Sequence, residues 1–385
     1  MIDKPPIGKL FLSFLRLGLT AFGGPAMVAY IQEMSVNRYK WLDEDTFKDG
    51  VVLCQSIPGA TAMQTAAYVG FRSKGILGAL ASFTGFGLPA FILMLLLSSL
   101  YAEYHTVPNI VSLFNGLQVV VVAIVLNATY SFGKNTFKDF GAVVVAISAS
   151  ALLWAGVSPF LVILGAALAG IIIFKGANGI TLPEHEREKD GHFAKHFSLL
   201  LVLLFSGLFA LYFINVKIFN LATLMMKIDL FAFGGGFASL PLMLHEIVEV
   251  RRWMDNTTFM NGIALGQVTP GPIVITSTFV GYLISGPVGA LVATIAVFTP
   301  SFLMVITITP VMDKLRTSTY FTKATKGILA SFVGLLFFVT VKFAFAVPWD
   351  SMRVLLLCAA LIALLKKVDI LYLVLLTSAV SPFIF

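Results

Sequence analysis

Apolar runs of about 20 residues, the length an α-helix needs to cross a bilayer core of about 30 Å, recur along the whole of this 385-residue chain. An all-α polytopic membrane protein is the class that fits. Composition agrees: 58% of residues are hydrophobic and 12% are charged, where a soluble domain carries about 25% charge. The net charge of +7 is scattered over short loops, so nucleic-acid binding is not expected. Cys54 and Cys358 both sit inside apolar runs and offer no disulfide framework, metal site or redox pair. The first residues lack a short apolar core followed by a small-residue cleavage site, so no removable signal peptide is expected.

The candidate spans fall at roughly 10–32, 50–71, 75–100, 110–130, 139–155, 158–174, 197–215, 220–245, 258–282, 286–310, 327–346, 351–365 and 369–384, about 13 in all. The segments holding Pro58 and Pro270 read either as crossings or as re-entrant loops. With the N-terminus in the cytoplasm, eighteen Lys and Arg fall in cytoplasmic segments, and Arg38, Lys40, Lys48 and Lys217 in outer loops. That bias follows the positive-inside rule and puts the C-terminus outside.

The chain is also duplicated. AFGGP (21–25) matches AFGGG (232–236), WLDEDTFKDG (41–50) matches WMDNTTFMNG (253–262), and QSIPGA (55–60) matches QVTPGP (267–272). YVGFRSKGILGAL (68–80) matches FVGYLISGPVGAL (279–291), LPAF (88–91) matches TPSF (299–302), and Arg16 aligns with Lys227. Seven crossings precede the second copy. An odd number makes the copies inverted repeats, with a substrate site expected at their interface near mid-bilayer. The expected organisation is a first repeat over 1–175, a cytoplasmic linker plus one extra helix over 176–218, and a second repeat over 219–385. In the linker, Glu184, His185, Glu186, His192 and His196 match no zinc spacing, so no metal or other cofactor is expected.

Each repeat is broken by residues that end helices. Phe22-Gly23-Gly24-Pro25 and Phe233-Gly234-Gly235-Gly236 free backbone amides inside the membrane, which is tolerated only inside protein or beside a wet cavity. Each new half-helix would point its positive end at an anion; tight helix packing is the alternative. Arg16 and Lys227 stand six residues before each Phe, and charges inside spans are usually functional; snorkelling to the interface is the alternative. Asp229 would neutralise Lys227 or take up a coupling proton, with neutralisation preferred. A second discontinuous element centres on Pro58-Gly59 and Pro270-Gly271. Gln55, Gln64, Gln267 and Thr276 are its candidate oxyanion ligands, because polar side chains inside a membrane need partners. Glu33, His245 and Glu246 could relay protons or simply face water. Asp43 and Asp255 stand where helix N-caps belong, and Trp41 and Trp253 where interface anchors belong.

Taken together, LTAFGGPA, NRYKWLDEDTFKDG, QSIPGATAMQ and YVGFRSKGILGAL, with LFAFGGGFASLPLMLHEIVEVRRW, NGIALGQVTPGPIVITSTFVGY and GALVATIAVFTPSF, resemble the chromate transporter family in its long, two-domain form. The resemblance implies a multi-pass inner-membrane exporter of chromate, a link to the near-isostere sulfate, and chromate resistance. A homodimer is a further expectation. Two positions depart from the family's pattern: Ala60, where Pro is usual, and Asp229, where a small neutral residue is usual. No G-x-x-x-x-G-K-[ST] loop occurs, so the driving force is expected to be membrane potential, a proton or a counter-anion. No dinucleotide fingerprint, Cys cluster or paired span histidines suggest an enzyme. An anion channel on the same scaffold stays open as an alternative.

Overall fold

In a computed structural model, residues 5–22, 24–174, 193–311 and 318–385 are described. They are helical, with no strand among them. The linker histidines His185 and His192, with Glu184, Glu186 and Gly23, lie outside the described residues. Elsewhere, no cluster of three or more metal-ligating side chains forms among the described residues.

The first broken segment is a hairpin, where a single crossing of residues 10–32 was expected. Helix α1 (Ile7–Thr20) and helix α2 (Gly24–Gln32), which continues as π-helical turns through Glu33–Arg38, run back alongside each other. Lys9 Nζ lies 5.1 Å from the Tyr39 ring centroid, and the Phe14 and Trp41 rings are 6.5 Å apart. A single crossing would put these partners on opposite sides of the bilayer. Fourteen residues in α1 span only about 21 Å at 1.5 Å per residue, too little to cross alone. Trp41 is buried, stacked 4.9 Å from Tyr39; it pins the hairpin's open end and is no interface anchor.

The second segment folds back in the same way. Helix α3 (Glu44–Ser56) is capped by the Asp43 carboxylate, which accepts from Thr46 N at 2.8 Å, as its position implied. Residues 57–60 break it. Helix α4 (Thr61–Tyr104) then begins and returns along α3: Tyr68 Oη donates to Thr46 O at 3.2 Å. So the Pro58 segment folds back on itself as a helical hairpin.

Helix α4 is itself two arms. Lys74 and Gly75 leave helical geometry, with Gly75 at φ +61°, a conformation that glycine reaches at little cost. The arms 61–73 and 76–104 lie side by side, since Ser82 Oγ donates to Ala66 O across 16 residues at 2.7 Å. Close approach needs glycine at Gly70 and Gly78, where a Cβ on either would meet the other's carbonyl. The second repeat copies the device. In helix α12 (Thr276–Ile308) the break falls at Ser285-Gly286, φ +60° at the glycine. Gly281 and Gly289 abut, and Thr278 and Thr294 hydroxyls bond at 2.7 Å.

The remaining helices are α5 (Pro108–Thr136), α6 (Phe140–Trp154), α7 (Pro159–Ile173), α8 (Phe193–Ile214), α9 (Val216–Phe231), α10 (Ser239–Met243), α11 (Asn256–Val268), α13 (Thr319–Ala346), α14 (Ser351–Leu365) and α15 (Ile370–Ile384). They divide with the rest into two compact units, each drawing on both repeats. The first unit comprises Met1–Leu95, Thr181–Leu230 and Pro270–Lys314; the second comprises Leu96–Ile180, Phe231–Thr269 and Leu315–Phe385.

In the second unit, α5 and α13 are twins, and they cross at equivalent residues. Thr129 and Thr340, 211 positions apart, bond hydroxyl to hydroxyl at 3.2 Å. Each also packs the other repeat's last helix. A Cβ on Gly116 would collide with Ser381 Oγ; a Cβ on Gly327 would lie 2.9 Å from the Gly170 Cα. Gly116 is the twin of Gly327, and Ser381 of Gly170. Reciprocal pairs of this kind are what a two-fold relation between repeats produces. Helix α11 is tied to this unit by a buried chain: Gln118 Nε2 donates to Asn261 Oδ1 at 2.9 Å, and Asn261 Nδ2 to Tyr101 Oη at 3.1 Å.

Candidate functional site

The tip of the α3–α4 hairpin carries the most demanding local geometry of the first unit. Pro58 and Gly59 are buried, and Gly59 sits at φ +117°. A Cβ there would collide with Ser301 Oγ on α12 and come 2.8 Å from Gln64 Nε2. Gln64 is fully buried, and its Nε2 closes the tip by donating to Pro58 O at 2.5 Å. Behind Ser301 stands Asp229 of α9, also fully buried. Its Oδ2 accepts from Ser301 N at 2.7 Å and from Ser301 Oγ at 2.6 Å.

The second repeat's tip meets the first repeat in the mirror arrangement. Gly271, at φ +109°, has Ala90 at 3.0 Å from where its Cβ would stand, and its N–H donates to Ala21 O at 3.2 Å. Ala90 is the twin of Ser301. The break after α1 and the second repeat's tip are therefore neighbours. Pro270 is buried, and Thr276 is buried with its hydroxyl turned to Ile273 O at 2.8 Å.

The two cations expected near the breaks lie on another side of their helices. Gly18 packs on the Phe86 carbonyl, whereas Arg16 is exposed and lines a separate cavity of about 340 Å³ with Thr20, Tyr30, Glu33, Arg38 and Tyr39. That cavity lies along the first hairpin and gathers two guanidinium groups and two phenols. Lys227 is likewise exposed, while Asp229 two residues on faces Ser301. Residues two apart do not share a helix face, so the carboxylate's hydrogen bonds come from Ser301, not from Lys227. Glu33 is exposed and accepts from Asn37 Nδ2 at 2.5 Å. Gln55 is exposed on α3, Phe22 is half-buried, and Gly24 and Pro25 open α2.

In the second unit Phe233, Gly234, Gly235 and Gly236 form a half-buried turn, with φ +98° at Gly234 and +92° at Gly235. Gln267 leaves its Nε2 buried without a hydrogen-bond partner. Glu246 is buried and paired with Arg251. His245 Nδ1 meets Glu249 Oε2 at 3.2 Å, and Lys342 Nζ meets Glu249 Oε1 at 3.1 Å. Burial pushes the Glu249 carboxyl up, but His245 and Lys342 outweigh it and hold the group below the usual range. Glu246 and Glu249 are thus ion-paired with Arg251 and Lys342. A cavity of this unit, about 810 Å³, is walled by Phe137, Trp154, Val333 and Phe337 with Lys134 among the lining. Its apolar walls suit a lipid chain better than a dianion.

Ser301, Arg38, Tyr30 and Tyr39 were not singled out from sequence. Ser301 had one usable signal: it replaces the alanine of LPAF in the second copy.

The chromate transporter family profile matches residues 8–171 and again 219–382. The chain belongs to the chromate transporter family. An uncharacterized transporter of Methanocaldococcus jannaschii is 43% identical over 376 residues, covering 97% of this chain and 94% of the relative. The chromate transport protein of Pseudomonas aeruginosa is 31% identical over 325 residues, covering 77% of this chain and 72% of the relative. An uncharacterized transporter of Bacillus subtilis is 31% identical over 192 residues, which is 48% of this chain and 95% of the relative. Just under half of this chromate transporter family chain thus matches nearly the whole of that shorter relative. No solved structure matches the chain.

Proposed function

We propose that this protein is a secondary transporter that carries chromate, or a closely similar tetrahedral oxyanion, out across the cell membrane. The observation that carries the reading is the pair of reciprocal glycine tips in the first unit, Gly59 against Ser301 and Gly271 against Ala90. Such tips are the broken-helix elements around which transporter substrate sites are built, with half-helix N-termini turned to anionic groups. Relatives bearing the name chromate transport protein supply the substrate class. The tips at Pro58 and Pro270 form the resting place, and the Arg16–Arg38 cavity supplies the anion's approach. Lys227 is its counterpart in the second repeat.

The drive is electrical at least in part. An inside-negative potential favours outward movement of an unaccompanied dianion by about 4.6 kcal/mol per 100 mV, twice the single-charge value, and a monovalent cation carried with it would halve this. The protein is oriented with its N-terminus in the cytoplasm. Because both early segments fold back, Arg38, Lys40 and Lys48 return to the N-terminal side. The same rule applied to the second copy sends Arg251 and Arg252 outside. Two crossings leave each copy, so the total stays odd, an odd number still precedes the second copy, and the repeats stay inverted.

Purified protein in liposomes should take up labelled chromate in a saturable way, with sulfate, molybdate and phosphate tested as competitors. If chromate neither moves nor competes, the substrate reading falls. Linear, unsaturable flux would favour a channel.

A further inference from the structure

Resting on that transporter reading, we infer that Asp229, with Gln64 and the tip it closes, binds one small coupling cation, a proton or a monovalent metal ion.

The cluster is sealed, and its hydrogen bonds can be counted. Asp229 and Gln64 are fully buried. Ser301 N–H and Oγ both donate to Asp229 Oδ2, and Gln64 Nε2 donates to Pro58 O. Two buried atoms are left without a partner, Asp229 Oδ1 and Gln64 Oε1. Both are oxygens that only accept, given an ionised acid. Turning the Gln64 amide over would set its oxygen against the Pro58 carbonyl, so its orientation follows from the bond it makes. Gly59 joins the two halves of the cluster, since a Cβ on it would touch both Ser301 Oγ and Gln64 Nε2. Buried acceptors without donors are costly, and a cation satisfies them while also neutralising the buried carboxylate, which a water would leave charged. Helix α3 ends at Ser56, directly before this tip. Half-helix C-terminal ends and unwound carbonyls are the groups that coordinate Na⁺ or H⁺ in broken-helix transporters.

The first repeat lacks the same chemistry. Gly18 stands where Asp229 does, and Ala90 where Ser301 does. The equivalent tip contact, Gly271 against Ala90, is apolar. One cation per chain follows.

The surrounding charges do not substitute for it. Helix α12 carries no Asp, Glu, Lys, Arg or His; its one ionisable side chain is the Tyr282 phenol. On α9 itself stand Lys217, whose Nζ donates to Ile284 O at 2.8 Å, and the exposed Lys227. Arg16 on α1 faces its own cavity. Arg72 and the acids of α3's first turns lie at the far end of the hairpin from its tip. Filling the site cancels a negative charge beside the place a dianion must occupy. Cation and oxyanion therefore help each other bind, each by the same factor.

The test uses reconstituted protein with the membrane potential clamped. For one-to-one coupling, a tenfold gradient of the cation should shift the zero-flux chromate ratio tenfold. One arm imposes a pH gradient without sodium; the other imposes a sodium gradient at equal pH. The responding arm names the cation. Asp229→Asn keeps the shape and should abolish the response. A wild type that moves chromate but ignores both gradients overturns this inference and leaves the transporter reading standing. A separate readout needs no oxyanion: the thermal midpoint of detergent-purified protein as pH or sodium is varied. Wild type should respond, while Asp229→Asn, or Gln64→Leu should the first variant fail to fold, should respond less. Equal responses in wild type and variant overturn the inference even if no oxyanion is moved.

Discussion

Single atoms decide whether the tips can form. Gly59 and Gly271 combine a backbone conformation that side chains avoid, φ +117° and +109°, with neighbours where a Cβ would stand. Strain of that kind costs about 1–3 kcal/mol, and the clash with Ser301 adds to it. Gly59→Ala should therefore lower the thermal midpoint and abolish transport, and Gly271→Ala should do so more mildly, because Ala90 leaves 3.0 Å. Gly207→Ala on α8, where nothing lies within 4 Å, should be neutral or stabilise by up to about 1 kcal/mol through helix propensity. Midpoints and initial rates for the three variants check this. For the anion's approach, Arg16→Ala and Lys227→Ala should each cut the transport rate at least tenfold with expression unchanged. Full activity in both would remove cations from the mechanism. The residue types at these positions could be read from sequence; their partners could not. Asp229 and Lys227 look like a pair when written two letters apart, yet helical geometry turns them to different faces. Ser301 carries no mark of its role in the sequence, because only the fold brings it to Gly59.

Helices and their breaks were legible in kind but not in direction. The Gly-Gly and Pro-Gly interruptions announce discontinuous elements, and the Asp43 and Asp255 caps lie where expected, accepting from Thr46 N and Thr258 N. Hydropathy counts apolar residues, however, and says nothing of whether the chain reverses after a break. Two short arms in series and one long crossing give the same trace. The reversals after α1 and after α3 were hidden for that reason, inside the expected spans 10–32 and 50–71, whereas the sharp turns at Gly75 and Gly286 fall where expected spans meet. The reversal has a measurable outcome. Cysteines placed at Lys48 and Arg252 in a cysteine-free background should react with an impermeant thiol reagent from opposite faces, Lys48→Cys from the cytoplasm and Arg252→Cys from outside. Labelling in the opposite sense would restore single crossings, and labelling from one face would make the repeats parallel.

At the scale of the whole molecule, the duplication seen in sequence becomes interlocking. Gly59 needs Ser301, Gly271 needs Ala90, Gly116 needs Ser381 and Gly327 needs Gly170, and every pair takes one member from each repeat. Neither compact unit corresponds to a repeat. Expressed as separate chains, residues 1–190 and 191–385 should each be degraded alone, and should recover chromate transport when made together. Activity from either half alone would contradict the interlocked arrangement.

Joining the halves has a consequence for what they can become. Two identical half-length chains that paired this way would be bound by symmetry: an acid gained at one tip would appear at the other as well, giving two charges or none. A single chain escapes that rule. Its halves can drift apart in sequence while their one-to-one ratio is guaranteed by a peptide bond. Asp229, with Gly18 at the equivalent position of the first copy, is an odd number of charges that a pair of identical chains could not hold.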